Sequence, residues 1–185
     1  NDLSINEVIL SGGDPLSLSD NKLSERFHQL ESIRHIKRIR IHSRYPIVDP
    51  ERITARLLTL LKKSRCKTIL VLHINHAREI DADNEYVLRQ LYAHNVTLLN
   101  QSVLLKGVND SVDILQDLSE SLIINNIHPY YLHMLDKVQG SAHFEVSESE
   151  AISLYQSLSA RLPGYMLPRL VREIQGESGK LPVFA

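Results

Sequence analysis

The chain has 185 residues, 43% of them hydrophobic, enough for one domain with a sizeable core and short for two full ones. Its 21 basic and 22 acidic side chains give a formal charge of -1, so no broad field favours nucleic acid or an anionic membrane, and a small-molecule or protein substrate fits better. The single cysteine, Cys66, excludes an internal disulfide framework and any cluster or zinc site built from several thiolates of this chain.

In chain order, strand-length apolar runs alternate with amphipathic helix-length segments. Glu7–Ser11 reads as a strand, Ser19–Glu31 as a helix, Arg38–His42 as a strand and Pro50–Lys63 as a helix. Thr68–His73 is a third strand, followed by a helix over Ala82–His94, a strand over Val96–Ser102, a helix over Val112–Ile124 and a strand over His128–Leu132. A last helix spans Ser147–Arg161, after which Tyr165–Glu173 reads as one more extended segment and Gln175–Pro182 as a polar loop. Ser19 and Ser147 suit N-caps, and Pro50 suits a first helical position. Repeated strand–helix units require parallel strands, hence an α/β fold, either a doubly wound sheet or a (β/α) barrel. No apolar run approaches the ~20 residues of a membrane span, and a cytoplasmic protein is the default expectation.

Ligands of parallel α/β folds collect at the C-terminal ends of the strands. Those ends read Ser11-Gly12-Gly13-Asp14, His42-Ser43-Arg44, His73-Ile74-Asn75-His76, Asn100-Gln101-Ser102, and His133 with Asp136. So many polar groups at one end are hard to explain as core packing, because unpaired buried polar groups cost free energy. Taken alone, Ser11–Asp14 reads as a tight turn as readily as a ligand loop. Arg44 suits either a carboxylate grip or a structural ion pair. His73 and His76 do not share a face dependably at a strand end and have no evident third partner, which argues against a metal. Lys180, in Gly176-Glu-Ser-Gly179-Lys180, lacks the Walker spacing and reads as a solvated loop lysine.

In combination these segments carry a resemblance. Ile9–Leu16, Arg40–Pro46, His73–His76, Asn100–Asp110, Pro129–Tyr131 with Asp136, and Arg169–Glu173 through Lys180 resemble, in order, blocks of the lysine 2,3-aminomutase family. Within it they look closest to the paralogue that supplies (R)-β-lysine for modifying elongation factor P. The resemblance implies a partial (β/α) barrel of the radical S-adenosylmethionine (SAM) type, as a single domain over 1–185 with 164–185 a tail bearing the pyridoxal 5′-phosphate (PLP) lysine. It implies SAM, PLP and a [4Fe–4S] cluster as cofactors, an electron donor, and lysine as substrate. Hydrogen is removed from C3 of lysine and the amino group moves from C2 to C3.

By the same resemblance, Ser11, Gly12, Gly13 and Asp14 match the motif that receives the methionyl amino group of SAM. His73, Gln101 and, more weakly, Arg44 match positions lining the SAM pocket. Lys180 matches the PLP lysine, Asp136 a carboxylate holding the substrate ε-ammonium, and Glu173 the second such carboxylate, an Asp in the family. His133 stands where the family has a tyrosine against PLP. The CxxxCxxC cluster motif, the first barrel strand and the arginine that grips the lysine carboxylate would lie upstream of Asn1, so this segment alone is expected to be inactive. An open first edge predicts poor solubility or pairing with another chain, homo-oligomerisation included. The short C-terminus and the Gly176–Gly179 run favour the elongation factor P pathway. The alternatives are a free-lysine enzyme making (S)-β-lysine and a cluster-less SAM- or PLP-binding remnant.

Overall fold

The computed structural model describes residues 2–136, 138–174, 176–177 and 179–183. Its strands and helices in chain order are β1 (Glu7–Leu10), α1 (Asp20–Glu31), β2 (Arg38–His42), α2 (Tyr45–Val48), α3 (Ala55–Lys63), β3 (Lys67–Leu72), α4 (Ala82–Ala93), β4 (Thr97–Val103), α5 (Val112–Ile124), β5 (Ile127–His133), α6 (Glu148–Ser159), β6 (Arg169–Arg172) and β7 (Leu181–Pro182). The strands are hydrogen-bonded in that same order. The chain divides into two compact units, Asn1–His73 with Ile80–Leu99, and Ile74–Glu79 with Asn100–Ala185.

Capping chemistry explains where the helices start. Ser19, Thr54 and Ser111 each accept a hydrogen bond from a first-turn N–H, of Lys22, Leu57 and Ile114 respectively. Asp81 and Ser147 complete reciprocal capping boxes with Asn84 and Glu150. At Ser147 these bonds hold the Glu150 carboxyl below its usual pKa. The helix expected from Pro50 begins later: Pro50–Arg52 forms a 3-10 turn, and α3 starts only where Thr54 supplies a cap. α4 and α5 are each followed by an asparagine in the left-handed region, Asn95 at φ 64° and Asn126 at φ 59°, so one device turns two helices into the strands that follow.

In the first unit β1, β2 and β3 pair in parallel, with Glu7 opposite Arg38 and Arg38 opposite Lys67. Strand alternation splits β2 into two faces. Ile39 and Ile41 are buried on one, while Arg38, Arg40 and His42 share the other. There the Glu7 carboxylate bridges Arg38 at 2.9 Å and Arg40 at 2.7 Å, offsetting the repulsion between two guanidinium groups one register step apart. The apolar side continues through Leu23 and Phe27 of α1 and Leu57 and Leu61 of α3, all buried.

In the second unit, Leu104, Leu115, Leu132, Leu158, Met166 and Leu170 make the centre of a core that joins α5 and α6 to β5 and β6. β5 and β6 are parallel, but β6 and β7 are antiparallel. The stretch expected as one extended segment over Tyr165–Glu173 is instead a 3-10 turn at Gly164–Met166 followed by β6. β7 lies within the stretch expected as a loop. The structure predicts that Phe27→Ala, which empties a fully buried site, lowers the stability of the first unit by about 3–5 kcal/mol in chemical unfolding.

Candidate functional site

The C-terminal ends of β1 and β2 are tied together by one carboxylate. Asp14 Oδ1 accepts hydrogen bonds from the Leu16 N–H at 2.9 Å and the Ser43 hydroxyl at 2.7 Å, and Oδ2 accepts from the Arg44 N–H at 2.7 Å. Gly12 and Gly13 both adopt positive φ, 84° and 58°, so the turn between β1 and Asp14 needs residues without a Cβ. The result is an exposed Ser11-Gly12-Gly13 backbone held at the strand ends by a side chain that is itself fully engaged. The Arg44 side chain is exposed beside it. His42 and His73 meet edge to face at the ends of β2 and β3, ring centroids 6.1 Å apart.

The second unit fixes the His73–His76 connection in another way. The Asn100 amide donates to Ile74 O at 3.0 Å and its oxygen accepts from Ile74 N at 2.9 Å, while Ser102 Oγ donates to the same carbonyl at 2.8 Å. Asn109 donates to Asn75 O and Val103 O, both at 2.9 Å, and accepts from Leu105 N at 2.8 Å. Glu79 accepts from the N–H groups of Asn75 and His76 at 2.7 and 2.9 Å. Asn100, Ser102 and Asn109 are buried, so two of the three polar residues read at the end of β4 are scaffold. Gln101 alternates to the opposite face from them.

Antiparallel return generates the most concentrated group of candidate residues. Val171 is opposite Pro182 and Arg172 opposite Leu181, so one step further the register sets Glu173 opposite Lys180. Lys180 Nζ donates to Glu173 Oε1 there and lies 5.5 Å from the centre of the Tyr131 ring, a cation–π distance. Tyr131 and His133 project from the same face of β5, rings edge to face at 5.6 Å, and His133 Nδ1 is 4.0 Å from Glu173 Oε1. Beside this group opens a cleft of about 550 Å³ lined by Met134, Asp136, Glu145, Glu148, Arg172 and Glu173 among others. Lys180, Glu173 and His133 thus come together, and Asp136 shares a cleft with Glu173. Ser11, Gly12, Gly13, Asp14, Arg44 and His73 belong to the first unit and Gln101 to the second.

The Lys180 amine, flanked by a carboxylate and an aromatic ring, fits a carbonyl cofactor. A thiolate-held cluster does not fit. Cys66 is the one cysteine, buried, with its S–H donating to Ile36 O at 3.4 Å, and burial pushes its thiol pKa up, away from the thiolate a metal requires. No group of three or more His, Cys, Asp or Glu side chains is placed to hold a metal among the described residues. Sequence reading missed Ser43, Asn109, Glu148 and Arg172 as parts of this architecture. Ser43, Asn109 and Arg172 sit inside quoted motifs and Glu148 inside the predicted helix Ser147–Arg161, but the sequence carries no signal that pairs Glu148 with Arg172.

No family model matches the chain. It is 52% identical over 176 residues to an L-lysine 2,3-aminomutase of Haemophilus influenzae, covering 95% of this chain and 52% of that protein. It is 50% identical over 179 residues to the L-lysine 2,3-aminomutase of Escherichia coli, covering 97% of this chain and 52% of that one. The chain therefore spans about half the length of the curated relatives it matches. Among solved structures, a radical SAM methyltransferase from Sphaerobacter thermophilus superposes with a TM-score of 0.61 at 17% identity, over 91% of this chain and 51% of that one. The likeness shows the fold, a partial (β/α) barrel of the radical-SAM type. No helix among the described residues is long and apolar enough to cross a membrane. For the scaffold, Asn109→Ala removes partners from two carbonyls and an N–H, with an expected loss of about 2–3 kcal/mol in chemical unfolding and little change in helical signal.

Proposed function

We propose that this chain, a member by homology of the lysine 2,3-aminomutase family, is the catalytic-barrel part of an isomerase that converts L-α-lysine to (R)-β-lysine for the modification of elongation factor P. Its residues act as one functional domain, with 164–185 as the tail that brings Lys180 to the site. The observation that carries the reading is the cross-strand juxtaposition of Lys180 and Glu173 beside Tyr131 and His133, at the edge of the cleft that Asp136 lines.

When bound, PLP would supply the carrier for the migrating amino group and SAM, cleaved by one electron, a radical able to take hydrogen from substrate; both are implied by the family, as is a [4Fe–4S] cluster whose ligands this segment does not supply. Lys180 holds PLP through its Nζ, and Glu173 holds the Nζ proton while the amine is unengaged. His133, buried between Tyr131 and Glu173, would line the PLP site. Asp136 receives the ε-ammonium of lysine, a charge-assisted contact that selects a long cationic side chain over an apolar one. Ser11, Gly12, Gly13 and Asp14 would receive the methionyl end of SAM on exposed backbone, with Arg44 and His73 of the same unit beside it. Asp14 acts chiefly by keeping that backbone in place. Residence is cytoplasmic.

The elongation factor P destination is supported by the Gly176-Glu-Ser-Gly179 run ahead of Lys180, which departs from the free-lysine enzymes. The test is an anaerobic assay of the full-length gene product with reconstituted cluster, SAM, PLP, a reductant and L-lysine, read by chiral mass spectrometry. Formation of (R)-β-lysine, reduced at least about a thousandfold by Lys180→Ala, is the expected result. The S enantiomer would reassign the protein to free-lysine metabolism, and SAM cleavage without β-lysine would end the lysine reading.

A further inference from the structure

The cleft beside Lys180 contains a charge that a site for a cationic side chain should not show to its ligand. Four carboxylates line it, Asp136, Glu145, Glu148 and Glu173, together with the guanidinium of Arg172. Arg172 and Glu173 are neighbours in sequence, and both line the cleft. An uncommitted guanidinium there would compete with a substrate ammonium for the same carboxylates, and with better geometry, because its planar fork engages a carboxylate through two parallel bonds. In the structure it is committed elsewhere: Arg172 Nη2 donates to Glu148 Oε2 at 2.6 Å.

Glu148 is well placed for the task. It is the first residue of α6, directly after the Ser147 cap, where the free N–H groups of the first turn favour a negative charge. Its carboxylate is therefore supported on its own helix and can hold Arg172 without being drawn into the cleft. Alternation along β6 turns Arg172 to the face opposite Val171 and Glu173, which is the side on which α6 packs through Leu158 against Leu170.

We propose that the Glu148–Arg172 pair is a specificity device: Glu148 sequesters the cleft's guanidinium, leaving Asp136 to a substrate that ends in an ammonium. This rests on the lysine reading above and deepens it. Neither residue touches the reacting atoms, so both are positioning residues, and their effect falls on recognition rather than on the chemical step. The two side chains are 33% and 53% exposed, which makes the effect modest.

The test uses the full-length, cofactor-reconstituted protein and compares binding of L-lysine with L-norleucine, which lacks the ε-ammonium, by calorimetry, alongside steady-state kinetics with lysine. In Glu148→Gln the released Arg172 lowers the lysine-over-norleucine preference about fivefold, raising KM for lysine with kcat changed less than about twofold. The double variant Glu148→Gln with Arg172→Gln restores the preference, which a merely structural ion pair would not do, because the double variant has lost that pair as well. An unchanged preference in Glu148→Gln, equal losses for both ligands, or no recovery in the double variant would each overturn the proposal while leaving the lysine reading intact. A wild-type protein that does not prefer lysine to norleucine would remove the lysine reading itself, and this inference with it.

Discussion

Parallel pairing is the constraint on which the site depends. Two neighbouring parallel strands end on the same edge, so the residue that follows each strand is delivered beside the residue that follows its neighbour. That is how Asp14, 29 residues distant from Ser43 in sequence and roughly 100 Å away along a fully extended chain, comes to accept a hydrogen bond from it. It is also why His42 and His73 meet. Once such ends are brought together, their loops need anchors, and the chain supplies them from side chains rather than backbone: Asp14 in the first unit, Asn100 and Asn109 in the second. Each anchor engages several main-chain groups at once.

The second unit adds one reversal to this scheme. β7 returns antiparallel to β6, and that single change of direction sets Glu173 against Lys180 although the two are separated by a glycine-bearing turn. A parallel continuation would have carried residue 180 away from residue 173. The end of β6 contributes both Arg172 and Glu173 to the cleft. There the first turn of α6 provides Glu148, whose carboxylate pairs with the Arg172 guanidinium.

Much of this was legible from the residues alone. The run Arg38–His42 and the segment Val112–Ile124 coincide with β2 and α5, because alternation and capping are local properties of a sequence. The strand-end polar groups were equally visible. What periodicity could not separate was ligand from scaffold. Asn100, Gln101 and Ser102 look alike as a polar tripeptide, yet a period of two sends Asn100 and Ser102 into a buried network and Gln101 to the other face. Asp14 likewise reads as a ligand in a glycine loop, whereas its carboxylate is occupied by Leu16, Ser43 and Arg44. The two-residue strand Leu181–Pro182 was hidden because it is too short for any period to register, and with it the pairing that organises Lys180.

We propose that the β6–β7 return makes Lys180 the residue that would hold PLP. Borohydride reduction of the full-length protein loaded with PLP, followed by peptide mapping, tests it most directly and without requiring turnover. The account predicts a pyridoxyl label on the peptide containing Lys180 that disappears in Lys180→Ala. A label on another lysine, or bound PLP that reduction leaves unattached to the chain, would contradict it.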